Sequence, residues 1–209
     1  MTNTYLNAFV SLFVVIDPVA LVPIFMGLTQ KMTTHQRIMS AHKACWISAI
    51  LLFVFAYGGE GLLNVLGITQ PAFQIAGGFL LMIAAVEMVI AHHTGMTTTT
   101  VHETKEASTS GDITVFPLAI PLISGPGALT AVILLAQEAG NSLMDQAALG
   151  GIILAVVAIT FLFLRAAPFI QKILGITGSN VLTRVFGIIL TALAAQFMIS
   201  GIRSAFFLE

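Results

Sequence analysis

Charge is what this chain has least of. Asp, Glu, Lys and Arg make up 8% of its 209 residues, whereas 57% are hydrophobic. A soluble domain carries about 25% charged residues. So sparse a set cannot cover a water-facing surface, and the outer face must meet lipid. A net charge of -1 gives no attraction to nucleic acid. Cys45 is the sole cysteine, which excludes an internal disulfide and reads as a small buried packer. No glycine-rich segment ends in Gly-Lys-Ser/Thr, so a P-loop is missing. The apolar stretches hold no Ser/His pair and no clustered carboxylates, so an enzyme is not expected, nor is a cofactor.

What the chain does have is apolar length. Six stretches stand out, at about 5–29, 41–60, 71–91, 113–137, 147–166 and 182–205. The alternating polarity of a barrel strand is missing. The expected fold is therefore an all-α integral membrane protein of six transmembrane helices, forming one transmembrane domain over 1–209. The first stretch lacks a basic leader and is interrupted by Asp17, Pro18 and Pro23, so it is expected to be a retained span. Lys31, Arg37, Lys43, Lys105, Arg165, Lys172 and Arg184 fall on one side of six alternating spans, and Arg203 on the other. The positive-inside rule makes the first side cytoplasmic and puts both termini outside the cytoplasm. Residues 92–112 form a polar cytoplasmic loop. Its His92, His93 and His102 match no standard metal spacing, so the loop reads as a solvated linker and no metal is expected.

The halves on either side of that loop, 1–91 and 113–209, resemble each other. Asp17-Pro18-Val19-Ala20-Leu21 aligns with Gly125-Pro126-Gly127-Ala128-Leu129 at an offset of 108 residues, and Leu66-Gly67-Ile68-Thr69 aligns with Leu174-Gly175-Ile176-Thr177 at the same offset. After a slip of two residues, Ile75, Gly77, Leu80, Ala84, Ala85 and Met88 track Val185, Gly187, Leu190, Ala194, Ala195 and Met198. Three spans are an odd number, so the second half must be inverted relative to the first. Two inverted three-helix repeats are a transporter architecture.

Spans 1 and 4 carry the chemistry. Asp17 precedes Pro18, and Ser124-Gly125 precedes Pro126, which is how helices begin: a side-chain oxygen caps free N–H groups and proline suits the first turn. These start signals lie inside membrane-length stretches, so both spans are expected to break near the midplane. Pro23, Pro117 and Pro121 add missing donors, leaving carbonyls such as those of Val19 and Pro117 short of a partner. A restarted helix offers N–H groups to a carboxylate. Free carbonyls, Ser124, Thr130 and the Asp17 carboxylate can hold an ammonium. The expected ligand is a small zwitterionic solute bound by Asp17, Pro18, Ser124, Gly125, Pro126, Gly127 and Thr130. The bland alternative is that these prolines only kink two packed helices. Burying Asp17 charged costs roughly 2.5–3.5 kcal/mol on insertion scales, and it can be a cap, a ligand or a proton carrier. Glu87, the other candidate for a proton or polar relay, lies near the end of span 3 and can equally reach the interface. Gln74 and Gln196 read as interhelical hydrogen-bond partners, and Gly187, Thr191 and Ala195 as a close-packing stripe.

At these motifs the sequence resembles the MarC family of bacterial and archaeal inner-membrane proteins. The resemblance is carried by Asp17-Pro18 through Pro23-Ile24-Phe25, Phe73-Gln74-Ile75-Ala76-Gly77-Gly78, and Pro117-Leu118-Ala119-Ile120-Pro121-Leu122-Ile123-Ser124-Gly125-Pro126-Gly127-Ala128. Arg184, Gly187 and Gly201-Ile202 complete it. It implies a multi-pass plasma-membrane secondary transporter of small neutral amino acids such as alanine or glycine, in uptake or export and with proton coupling left open; the alternatives are a structural or regulatory membrane protein without solute flux, or an exporter of another small metabolite. The family's first motif is Asn-Pro or Asp-Pro, and Asn cannot carry a proton, which weighs against that role for Asp17. Gln74 stands where the family often has Arg. A homo-oligomer is plausible for so small a bundle, with no residue that fixes it.

Overall fold

The computed structural model describes residues 2–90, 114–140 and 142–206. The polar loop, with His92, His93, His102 and Lys105, lies outside them. Every regular element among the described residues is helical: α1 (Thr2–Ile16), α2 (Pro18–Leu28), α3 (Thr34–Val65), α4 (Gln70–Ile90), α5 (Thr114–Ile123), α6 (Pro126–Ala139), α7 (Leu143–Arg165) and α8 (Ala167–Phe206). Five are long and apolar enough to cross a membrane: Tyr5–Leu28 (α1 and α2 taken together), α3, α4, α7 and Thr177–Phe206; Pro126–Ala139 is shorter.

Two of the expected boundaries move outward. Helix α3 starts at 34 rather than 41, because Thr33 and Gln36 form a reciprocal capping box that begins the helix in polar sequence. Arg37 and Lys43 are therefore helical and not in a loop. In the last segment, helix begins at Ala167 rather than 182 and is interrupted at Gly175, whose φ of 62° and ψ of -177° leave the helical region. Hydropathy finds the stretch that matches lipid; backbone hydrogen bonding runs past it.

Packing places the ends. α1 and α6 run side by side in opposite directions: a side chain on Gly127 would begin 3.6 Å from Val15, and at the far end Tyr5 and Ala8 line one hollow with Leu135 and Glu138. α3 lies along both α5 and α6, across the gap between them. α4 and α8 make the most extensive helix pair and cross at small residues. A methyl on Gly78 would sit 2.8 Å from the Ala194 carbonyl and 2.6 Å from Met198, and one on Gly187 would sit 3.0 Å from the Ala85 carbonyl and 2.9 Å from Met88. Such contacts require glycine, because a Cβ would displace backbone and not merely a flexible side-chain tip. The main core gathers α1, α2, α3, α5, α6 and α7 around Leu12, Phe25, Leu52, Ile123 and Ile153, all fully buried.

Candidate functional site

The chain leaves the helix at Asp17 because Pro18 cannot donate to Val14 and so ends the hydrogen-bond ladder of α1. Asp17 has φ 44°, the one positive φ at a non-glycine residue among those described. Aspartate tolerates this left-handed geometry through local hydrogen bonding. Its N–H still donates to the Phe13 carbonyl at 3.0 Å, its carbonyl already accepts from Leu21 at 3.2 Å, and its Oδ1 accepts the Ala20 N–H at 3.2 Å. One residue thus closes α1 and caps α2. The other carboxylate oxygen, Oδ2, is shielded from solvent and accepts no hydrogen bond of normal geometry. The residue as a whole is 4% exposed. The Thr183 side chain, from α8, stands beside the carboxylate.

The second break is built differently. Before it, α5 is wound as a π-helix, ending with Ser124 N–H donating to the Ala119 carbonyl five residues back at 2.9 Å. The donor that Pro121 lacks is therefore missed by the carbonyl of residue 116, and the expectation of an orphan at Pro117 is corrected: the ladder has i to i-5 spacing. Gly125 is the cap residue of α6, in extended geometry, and no side chain caps the helix. The expectation that Ser124 caps it is corrected as well. Ser124 is 1% exposed and its hydroxyl donates to the Ser48 carbonyl of α3 at 3.3 Å. Pro126 follows at the first helical position.

Because Gly127 lies against Val15, two residues before Asp17, the two restarts begin at one level and lead away in opposite directions. The N-terminal ends of α2 and α6 and the C-terminal ends of α1 and α5 lie at that level. Asp17, Pro18, Gly125, Pro126 and Gly127 share that level. Thr130, one turn along α6, presses its methyl group against Gly77 of α4. Glu87 is 8% exposed, packed within the bundle three residues before the end of α4, and does not lack an interaction. Two polar expectations fail: Gln74 leaves its Oε1 buried without a partner, and exposed Gln196 bonds Ser200 on its own helix. Gln74 lies in the tight α4–α8 crossing at Gly201, where little room remains for a long amide to turn, and Gln196 faces away from it.

Thr183 of α8, which stands beside Asp17, was not among the expected site residues, nor was Ser179 one turn before it on the same helix. Ser179 and Thr183, one turn apart on α8, are 1% and 9% exposed, and the Ser179 hydroxyl has no partner. Their spacing of i, i+4 puts both on one helix face, but Thr177, Asn180 and Arg184 beside them make the stretch polar enough to hide the pair. Away from the breaks, a polar cavity of about 300 Å³ flanks the C-terminal half of α6, lined by Tyr57, Glu60, Gln137 and Gln146 among others. On the other flank of α6, Tyr5 donates to the Asp145 carboxylate beside Glu138.

Comparison with known proteins agrees with the helical architecture. The description "MarC family integral membrane protein" matches residues 2–206. A UPF0056 membrane protein of Methanocaldococcus jannaschii is 36% identical over 96% of this chain and 97% of its own length. The UPF0056 membrane protein YvbG of Bacillus subtilis is 35% identical over 99% and 97%. YhcE of Escherichia coli, also a UPF0056 membrane protein, is 32% identical over 97% and 93%. No solved structure matches the chain significantly. The chain belongs to the MarC family of integral membrane proteins, found in bacteria and archaea.

Proposed function

We propose that this MarC-family protein is a secondary transporter of small neutral amino acids of the alanine and glycine kind, and not an enzyme. The observation that carries the reading is the presence at one level of two unlike helix starts: α6 begins with no side-chain cap, while α2 begins beneath a buried carboxylate with one oxygen unpaired. An uncapped N-terminus with its dipole attracts a carboxylate. A buried, unpaired carboxylate oxygen attracts an ammonium. A zwitterion bridging the two would satisfy both. The ligands in this proposal are Asp17 and the Pro18 turn on one side and the Gly125-Pro126-Gly127 backbone on the other. Ser124 and Thr130 support that backbone through their contacts with Ser48 and Gly77.

The same reading takes the fourth segment, α5 and α6 together, as a sixth span, and the halves as inverted repeats. Several features support it. Gly67 and Gly175, in the two Leu-Gly-Ile-Thr motifs, both have positive φ, 69° and 62°. The glycine contacts between α4 and α8 are reciprocal: Gly78 meets Ala194 and Met198, and Gly187 meets Ala85 and Met88. Alternating access would then come from the halves exchanging conformations around the breaks. Basic residues gather on one side of six such spans, the arrangement of a plasma-membrane protein with both termini outside the cytoplasm. Energy would come from a solute or proton gradient.

Counterflow of labelled glycine and alanine into liposomes holding the purified protein, with and without a pH gradient, tests this. Saturable counterflow is the expected result, and a response to the gradient would identify proton coupling. An absence of both flux and binding across a panel of small zwitterions would remove the transporter reading.

A further inference from the structure

Three threonine hydroxyls in this bundle return to their own helix, whereas Ser124 reaches across to α3 and the Ser48 hydroxyl there is buried without a partner. Thr29 donates to the Phe25 carbonyl at 2.7 Å, Thr160 to Val156 at 2.9 Å and Thr191 to Gly187 at 2.8 Å, each four residues back. Ser179 does not. The residue four before it is Gly175, where the backbone leaves helical geometry, so the usual acceptor is turned away. Ser179 keeps a buried, unpartnered hydroxyl. One turn further along the same face, Thr183 stands beside Asp17, and α2 packs along α8. Asp17 Oδ2 is buried and unpartnered as well.

The backbone around Asp17 is equally rich in acceptors. The Val14 carbonyl would take its helical bond from residue 18, a proline with no N–H. The Ile16 carbonyl would take it from Ala20, whose N–H goes instead to Asp17 Oδ1. The C-terminal end of α1 adds the negative pole of its dipole. Arg37, which could supply a positive charge, is engaged at the opposite end of α2, donating to the Thr29 carbonyl at 3.3 Å. Oxygens, negative potential and burial therefore coincide at one place.

We propose that Ser179 and Thr183 of α8 join Asp17 Oδ2 as a three-oxygen cation subsite that selects a primary ammonium. This rests on the transporter reading above and names the specificity of its cationic half. A primary ammonium has three N–H donors, and the subsite offers three side-chain acceptors. A secondary amine brings two donors and a quaternary one none, so each methyl on nitrogen leaves a buried oxygen unpaired.

The test is glycine counterflow in liposomes containing the full chain, competed by N-methylglycine and by betaine. The wild type should favour glycine over N-methylglycine by about tenfold or more, with betaine weaker still, since each lost bond to a charged group is worth about a factor of ten. Thr183→Val and Ser179→Ala should each raise the glycine KM by about tenfold and flatten the preference over N-methylglycine. Thr183→Ser, which keeps the hydroxyl, should restore both. Unchanged glycine KM and unchanged selectivity in Thr183→Val and Ser179→Ala, with transport intact, would overturn the subsite while leaving the transporter standing. Counterflow that requires sodium, with the variants shifting sodium dependence and not amine selectivity, would assign these oxygens to a metal cation and overturn it too. A wild type that neither binds nor moves glycine would remove the transporter reading and the subsite with it.

Discussion

The two breaks solve one problem with different chemistry. At the first, a single aspartate in left-handed geometry ends one helix and caps the next, so the positive end of α2 is already answered by a carboxylate. At the second, a π-helix runs into Gly125, and α6 starts with nothing but backbone. The neighbours differ in the same sense. Asp17 faces the side chains of α8, whereas Ser124 is tied to the backbone of α3. A pair of identical breaks would present two equal anion sites. In the proposed reading this pair supplies one anion site and one cation site, the polarity a zwitterion needs.

Making the second break resemble the first should have the largest effect. Gly125→Asp places a carboxylate cap where the solute's own carboxylate is proposed to sit. The cap itself should add only about 0.3 kcal/mol over the glycine it replaces. Glycine counterflow should fall by more than about 100-fold, in line with an unmade charged hydrogen bond plus repulsion. Gly125→Leu and Pro126→Leu should also abolish transport in protein that remains folded and monodisperse. Retained transport in either would mean that the second break is not the site.

Removing the charge from the first break should have the next largest effect. Asn keeps the cap but replaces an acceptor-only oxygen with a donor group, so Asp17→Asn should raise the glycine KM by about 10- to 100-fold with little change in thermal stability. A similar loss of stability and of transport together would make Asp17 a structural cap only.

Smaller effects are expected where the halves agree. Gly78→Ala and Gly187→Ala each push a methyl into backbone across the α4–α8 crossing and should each cost about 1–3 kcal/mol, by similar amounts, in thermal unfolding. Unequal losses would weaken the two-fold relation between the halves. Gly58→Ala meets nothing within 4 Å and should gain up to about 1 kcal/mol, serving as the helix-propensity baseline.

The sequence made the positions of both breaks legible, because Asp-Pro and Gly-Pro are strong local signals that tertiary packing seldom overrides. It misassigned the cap at the second. Ser124 has the right chemistry for a cap, but its hydroxyl found the Ser48 carbonyl across a helix interface, a contact with no local signature. The π-winding of α5 was also hidden, since i to i-5 spacing leaves no hydropathy pattern. Gln74 and Gln196 misled for another reason: a long amide suggests a reach across helices, but the close α4–α8 approach leaves Gln74 no room and Gln196 lies on the exposed face. Gly175 and Ser179 were each visible, but their joint consequence, a serine deprived of its usual acceptor, appears only once the backbone break is placed. The close contact of Gly187 with α4 was readable, because small-residue spacing and backbone approach are the same physical fact.

Opposite ends of one solute are proposed to be read at opposite breaks. Competition against labelled glycine counterflow by glycinamide, which lacks the carboxylate, and by N-acetylglycine, which lacks the ammonium, tests it most directly. The account predicts that unlabelled glycine competes strongly and that each half-charged analogue competes about 100-fold more weakly or less. Equal competition by either analogue would contradict it, because one of the two breaks would then be reading nothing.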